Sequence, residues 1–365
     1  MAEYWTFRYS GERVAPGLVT LRAPLQHLWA YKAPQGRMLG FVRAGAAGWY
    51  TSTGSGLTAR LDPASGQALW TEPNDCGPDE GAYVISLWPT GLIASGLRTV
   101  RWLDPGTGAR HRLERRSSTL GLPYGFVVDG LFVSSELEVL RLENLETVWM
   151  AKPKLRSAEP HAGNRDSLVW TDDGDVTCVD LETGAPRWSH TGKDLGGRPS
   201  RPGCIWDGKF IVVANGLRAF DLVTGKQVWH WPLPRALYWW HPYAGRAYLF
   251  IGGATYVIVD LATGQEVFRR TLGPTVPLDP TGRLRASKRE RQPPSWHSTK
   301  IVVSETHAFL DNDTGHVVAL KRDTGEVEQV LETGSMNLGL EPAIYDNHLF
   351  RIDDYAVLHC YKGSS

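Results

Sequence analysis

Val179 to Trp188 reads VDLETGAPRW, and the chain writes this stretch out repeatedly. It returns as LDPASGQALW ending at Trp70, FDLVTGKQVW ending at Trp229 and VDLATGQEVF ending at Phe268, with weaker copies at LDPGTGARHR and LKRDTGEVEQ. In each full copy apolar and polar residues alternate up to an Asp. Two residues follow, then a hydroxyl residue and Gly, then a second alternating run that ends on an aromatic. This pattern predicts a β-hairpin. Gly supplies the positive φ of a tight connection, and the short Asp and Thr side chains bond backbone groups inside the turn. The aromatic four residues after the Gly is large enough to fill the gap between one sheet and its neighbour.

The turn glycines are Gly66, Gly108, Gly184, Gly225, Gly264 and Gly325, at intervals of 42, 76, 41, 39 and 61 residues. The interval of 76 is nearly two periods, and the copy inside it, RLENLETVWM, keeps Trp149 but has lost its Gly. The interval of 61 is one period plus an insertion of about 20 residues. A period near 41 residues, enough for about four short strands, is the size of one β-propeller blade.

The chain ends point to closure. EPAIYDNHLFRIDDYAVLHCYKGSS offers two strands and stops where an outer strand should begin, while LQHLWAYKAP resembles an orphan outer strand whose Trp29 lies 41 residues before Trp70. Residues 26–31 are therefore expected to complete the final blade, which also removes exposed sheet edges. Eight periods of 41 leave 37 residues, which the insertion and a leader account for, whereas seven leave 78. The expectation is one all-β domain over residues 1–365, an eight-bladed β-propeller with seven blades as the alternative, a leader 1–25 and a basic insertion 278–297.

The pattern Ala-x-Asp-x-x-Thr-Gly-x-x-x-Trp resembles the tryptophan-docking repeat of the pyrroloquinoline-quinone (PQQ) type propellers. That family includes quinoprotein dehydrogenases and non-enzymatic propellers such as the outer-membrane assembly lipoprotein. Ala219, Asp221, Thr224, Gly225 and Trp229 match it fully, and Asp180, Thr183, Gly184 and Trp188 match with Cys178 in the Ala place. The departures are Arg112 and Gln329 at the Trp position, and Arg141 and Lys321 at the Asp position. The resemblance implies a fold more than a chemistry, because the matched residues build the scaffold.

Composition bounds the rest. Thirty-nine basic and thirty-nine acidic residues cancel, so no global field draws the chain to nucleic acid or anionic lipid, and neither is an expected partner. The N-terminal MAEYWTFRYSGERV lacks the basic start and apolar run of a secretory signal, and YLFIGGATYVIV is too short and too glycine-broken to span a bilayer. Cys76, Cys178, Cys204 and Cys360 are scattered without Cys-x-x-Cys spacing. Reduced thiols and a cytoplasmic location are the expectation.

Two regions are candidates for function. The insertion LDPTGRLRASKRERQPPSWH carries Arg283, Arg285, Lys288, Arg289 and Arg291 and ends near Trp296, a basic loop suited to docking an acidic protein segment or a phosphate-bearing ligand. The second is the channel mouth. Prolines at 160, 202, 242 and 342 mark comparable points of the repeats, and their neighbours Glu159, His161, Arg201, Trp240, His241 and Glu341, with His297, are expected to converge there as a small-molecule site. No local spacing among them demands a metal, and no cofactor is expected.

Three function classes follow. The favoured one is a non-catalytic scaffold, or a regulatory or sensory subunit, presenting a face to a protein partner. The second is a ligand binder or lyase- or hydrolase-type propeller using the channel mouth, with no catalytic residue assigned. The third is a quinoprotein-like dehydrogenase. The resemblance raises it, but the alcohol-oxidising members are longer, exported and carry adjacent cysteines, and no two cysteines are adjacent here.

Overall fold

A computed structural model describes residues 20–32, 43–45, 48–52, 57–73, 82–88, 91–96, 99–116, 125–134, 137–151, 159–199, 201–233, 239–251, 254–272, 299–311, 315–333, 335, 342–353, 355 and 357–364. These form four-stranded antiparallel sheets in two compact units. The first unit, built mainly from residues 33–232, holds five sheets, each taking its four strands consecutively from the chain. The second, residues 15–32 and 233–365, holds three. Numbered in chain order, each sheet occupies one period of the repeat, and each sequence hairpin joins its third and fourth strands.

The last sheet is assembled from both chain ends, as the sequence implied. Strand Gln26–Lys32 pairs antiparallel with Val357–Lys362, with Trp29 opposite Cys360 and Lys32 opposite Val357. Part of the expected leader belongs to this closure. Leu21, Ala23 and Leu25 are buried, the Ser304 hydroxyl donates to the Leu21 carbonyl at 2.7 Å, and the Ser364 hydroxyl donates to the Ala23 carbonyl at 2.6 Å. Residues 1–19 lie outside the described residues.

The sequence reading of alternating strands holds for some strands and fails for others. Outer strand Gln227–Pro232 alternates in burial, but Phe210, Ile211, Val212 and Val213 of strand Lys209–Val213 are all buried. Middle strands are covered by neighbouring sheets on both faces, so they read as continuous apolar runs.

The turn performs as its residues dictate. Oδ1 of Asp180 accepts from the backbone N–H and the hydroxyl of Thr183, both at 2.9 Å, and the Gly184 N–H closes on the Asp180 carbonyl at 2.9 Å. The same carboxylate-to-hydroxyl-residue bonds recur at Asp62 with Ser65, Asp104 with Thr107, Asp221 with Thr224 and Asp260 with Thr263.

Within the first unit, the turns at Gly108, Gly184 and Gly225 also receive the aromatic of the preceding sheet. A Cβ on Gly184 would stand 2.7 Å from the Trp149 ring, and one on Gly225 would stand 2.6 Å from the Trp188 ring. Gly108 is equally close to Trp70. The indole N–H then donates to the carbonyl of the residue after the turn Asp: Trp149 to Leu181 at 2.7 Å, Trp188 to Leu222 at 2.9 Å and Trp70 to Pro105 at 3.3 Å. Glycine is required twice over, because φ is +69° at Gly184 and +70° at Gly225, and because the ring occupies the place of a side chain.

The departures from the repeat fall in matched places. The second sheet has Arg112 where an aromatic should stand, and the third sheet has Leu145 where the turn glycine should stand. Leu145 keeps the turn, with φ +55° and its N–H on the Arg141 carbonyl at 2.8 Å, and its buried side chain packs with Phe132, Leu140, Leu142 and Trp102. With no aromatic arriving, a leucine fills the space. Sheet six ends on Phe268, which has no N–H to donate, and the Tyr256 hydroxyl makes the equivalent bond to the Arg322 carbonyl at 2.8 Å. Sheet seven offers Gln329, and the closing sheet has a chain break instead of a turn. Gln329 pairs with the backbone there, accepting from the Leu25 N–H at 2.6 Å and donating to its carbonyl at 3.0 Å. Lys321, at the Asp position of that seventh sheet, ties the turn through Glu326 at 2.8 Å.

The turn carboxylates give the fold an acid limit. Asp180 is held down at about 2, first by its bond from Arg187 and then by Thr183. An unfolded aspartate titrates near 3.9, so between about 4 and 2 the unfolded chain binds more protons and stability falls with pH. Asp180→Asn is expected to flatten the decline of urea-unfolding stability across that window; an unchanged slope would show that the turn bonds do not differ between the folded and unfolded chain.

Candidate functional site

The expected channel-mouth residues sit at the beginnings of inner strands. Glu159 opens strand Glu159–Gly163, Arg201 opens Arg201–Trp206, and Trp240 and His241 lie in Trp239–Tyr243. Trp240 and His241 are both buried. Glu341 and His297 lie outside the described residues, as do Arg283, Arg285, Lys288, Arg289, Arg291 and Trp296. The inserted segment runs between outer strand Glu266–Thr271 and inner strand Lys300–Val303.

His161 has the fullest geometry. It is 4% exposed, and it stands at an irregularity where Pro160 pairs with Trp170 and Ala162 with Val169. The extra residue re-aims its side chain. Nδ1 accepts the Gly203 backbone N–H at 3.0 Å, so the ring proton is on Nε2, which donates to the Thr171 hydroxyl at 2.9 Å. Gly203 belongs to the neighbouring sheet, and its Cα has no room for a side chain against Phe210. His161 is thus a neutral bridge between sheets four and five, with both nitrogens engaged. The sequence carried one signal of this, the Pro immediately before the histidine, since Pro within a strand belongs at edges and bulges.

A buried polar cluster that the sequence reading missed lies in the second unit. Arg351, wholly buried, donates from Nε to Asp311 at 3.3 Å and from Nη2 to the Ser335 carbonyl at 3.0 Å. Lys300, also buried, stands opposite Asp311 in register. Arg351 thereby ties the segment after sheet seven to the strands of sheets seven and eight. A buried cation held this way fixes a unique arrangement more than it adds stability. The signal for it was a lone Arg in the apolar run HLFRI.

The thiols are poor nucleophiles. Cys178, Cys204 and Cys360 are free and buried, and burial pushes Cys178 up to about 11 and the other two upward as well. Among the described residues no group of three or more His, Cys, Asp and Glu side chains is placed to hold a metal ion. No helix among them is long and apolar enough to cross a membrane.

Comparison with solved structures places the fold. BamB from Moraxella catarrhalis superposes with a TM-score of 0.63 at 14% identity, covering 93% of this chain and all of that one. The computationally designed protein Ika8 superposes with a TM-score of 0.69 at 13% identity, covering 92% of this chain and 99% of that one. No protein-family model matches the chain, and no curated protein does. The likeness establishes an all-β propeller fold.

The bridge at His161 is directly testable. His161→Phe keeps a ring but leaves the Gly203 N–H unsatisfied in a buried place, and should cost about 1–3 kcal/mol in urea-unfolding stability. A neutral result would remove His161 from the joint between the two sheets.

Proposed function

We propose that this chain is a non-catalytic PQQ-like propeller of residues 1–365 that presents one face to a protein partner, as a scaffold or regulatory subunit. The observation that carries the reading is the use made of the repeat's distinctive side chains. The turn aspartates and threonines are engaged inside their own turns, and Trp149, Trp188 and the glycines Gly184 and Gly225 meet at the joints between consecutive sheets. The one histidine of the expected channel mouth with a full set of contacts is engaged in the same way. Recognition then belongs to the connections between strands.

The connection that differs most from the repeat is the insertion 278–297, with Arg283, Arg285, Lys288, Arg289 and Arg291 against Asp279 and Glu290, and Trp296 beside them. Five cations and an aromatic in one connection suit an acidic protein segment. The eight four-stranded sheets along the chain support eight blades, with seven as the alternative, and the likeness over 93% of the chain supports a single domain. The buried free thiols fit a reducing, cytoplasmic setting. A second reading keeps a small-molecule site at the channel mouth, supported by the buried Trp240 and His241 on an inner strand.

Affinity purification from the native host, comparing the intact chain with one lacking residues 280–294, tests the proposal. A protein that copurifies with the intact chain and is lost on deletion is the expected result. A partner retained by the deleted chain moves the working face elsewhere, and a small molecule retained without any protein partner favours the channel-mouth reading.

A further inference from the structure

The strand that closes the last sheet brings together two imidazoles from opposite ends of the chain. His27 lies on Gln26–Lys32 and His359 on Val357–Lys362, and His27 Nε2 stands 3.3 Å from His359 Nδ1. On its other side, His359 Nε2 bonds Asp353 Oδ2 at 2.9 Å. That carboxylate is itself fixed, because its Oδ1 accepts the backbone N–H groups of Tyr355 at 3.0 Å and Val357 at 2.9 Å. Tyr361 flanks both rings, edge-on to His27 at 5.3 Å and stacked beside His359 at 6.3 Å.

The bond to Asp353 selects a tautomer of the neutral His359 ring. With its Nε2 proton donated to Asp353, Nδ1 carries a lone pair directed toward His27. Two imidazole nitrogens on a tetrahedral ion at 2.0–2.1 Å lie about 3.3 Å apart, the separation found here. We propose that His27 and His359 are the two protein ligands of a divalent transition-metal site of the zinc class, which clamps the N-terminal strand onto the last strand. Asp353 is its positioning residue, fixing the His359 tautomer as carboxylates do behind metal-bound histidines.

The chemistry of the site follows from its donors. Two imidazoles favour zinc, nickel or copper over magnesium or calcium, which take oxygen ligands. His27 is exposed at the rim of the sheet, so water can complete the coordination shell. In the metal-free chain the His27 Nε2 proton bridges the two rings; on binding, that proton moves to Nδ1 of His27 and the ion takes its place, with no net proton released. Lys362, opposite Gln26 in register, is the nearest cation on the paired strand. Because the ligands lie 332 residues apart, the ion binds only when the last sheet is closed, and it stabilises that closure by mass action.

The test uses the full-length chain in chelator-free buffer at pH 7.5, with Zn2+ titrated by calorimetry and thermal unfolding followed with and without it. The expected result is one Zn2+ per chain and a rise in Tm that Mg2+ does not reproduce. His27→Ala, at an exposed position, should abolish both effects while the metal-free Tm stays near that of the parent. Asp353→Asn should weaken affinity about 10-fold or more. An unchanged Tm with Zn2+ would overturn the assignment. So would an equal rise with Mg2+, or full Zn2+ binding by the His27→Ala chain.

Discussion

One contact organises the sheet joints: the face of an aromatic ring seated on the turn glycine of the following sheet, with the indole N–H donating to the carbonyl three residues before that glycine, the residue after the Asp. It joins two residues about one period apart and makes each a condition for the other. The ring needs a Cα without a side chain, and the turn needs a residue that tolerates positive φ. Glycine meets both demands at once. A β-branched residue at Gly225 would violate both, since φ there is +70° and the Trp188 ring stands where its side chain would go.

The exceptions follow from the same constraint. Where the second sheet supplies Arg112, the third sheet's turn is free to carry Leu145, and a leucine there makes a small apolar cluster with Trp102. Where the last sheet is built from two chain ends and has no turn between its third and fourth strands, Gln329 replaces the indole and bonds the Leu25 backbone as a strand would. Where Phe268 lacks a donor, Tyr256 provides one. Each change on one side of a joint is answered on the other, so the irregular copies of the repeat are adapted joints and not decayed ones.

This logic explains what could be read from the sequence. The hairpins were legible because Asp, Thr and Gly act within five consecutive residues, and closure by residues 26–31 was legible because the last repeat stops short. The joints were not, since Arg112 and Leu145 look like unrelated losses until the direction of docking is known. The place of His161 was hidden for a local reason. Strand alternation would have turned His161 toward an inner-strand site with Glu159, but the irregularity between Pro160 and Ala162 turns it into the joint with sheet five. Arg351 was hidden in the opposite sense, as one charge in an apolar run whose partners, Asp311 and Ser335, are contributed by other strands and connections.

The sheet joints therefore depend on the aromatic and the glycine acting as a unit. The most direct measurement is a double-mutant cycle on urea-unfolding stability with Gly225→Ala and Trp188→Ala. Gly225→Ala should cost about 2–4 kcal/mol with Trp188 present and about 1 kcal/mol, the strain of the turn alone, with Trp188 removed, a coupling well above the additive limit. Equal costs in the two backgrounds would contradict the account, because glycine would then serve only its own turn.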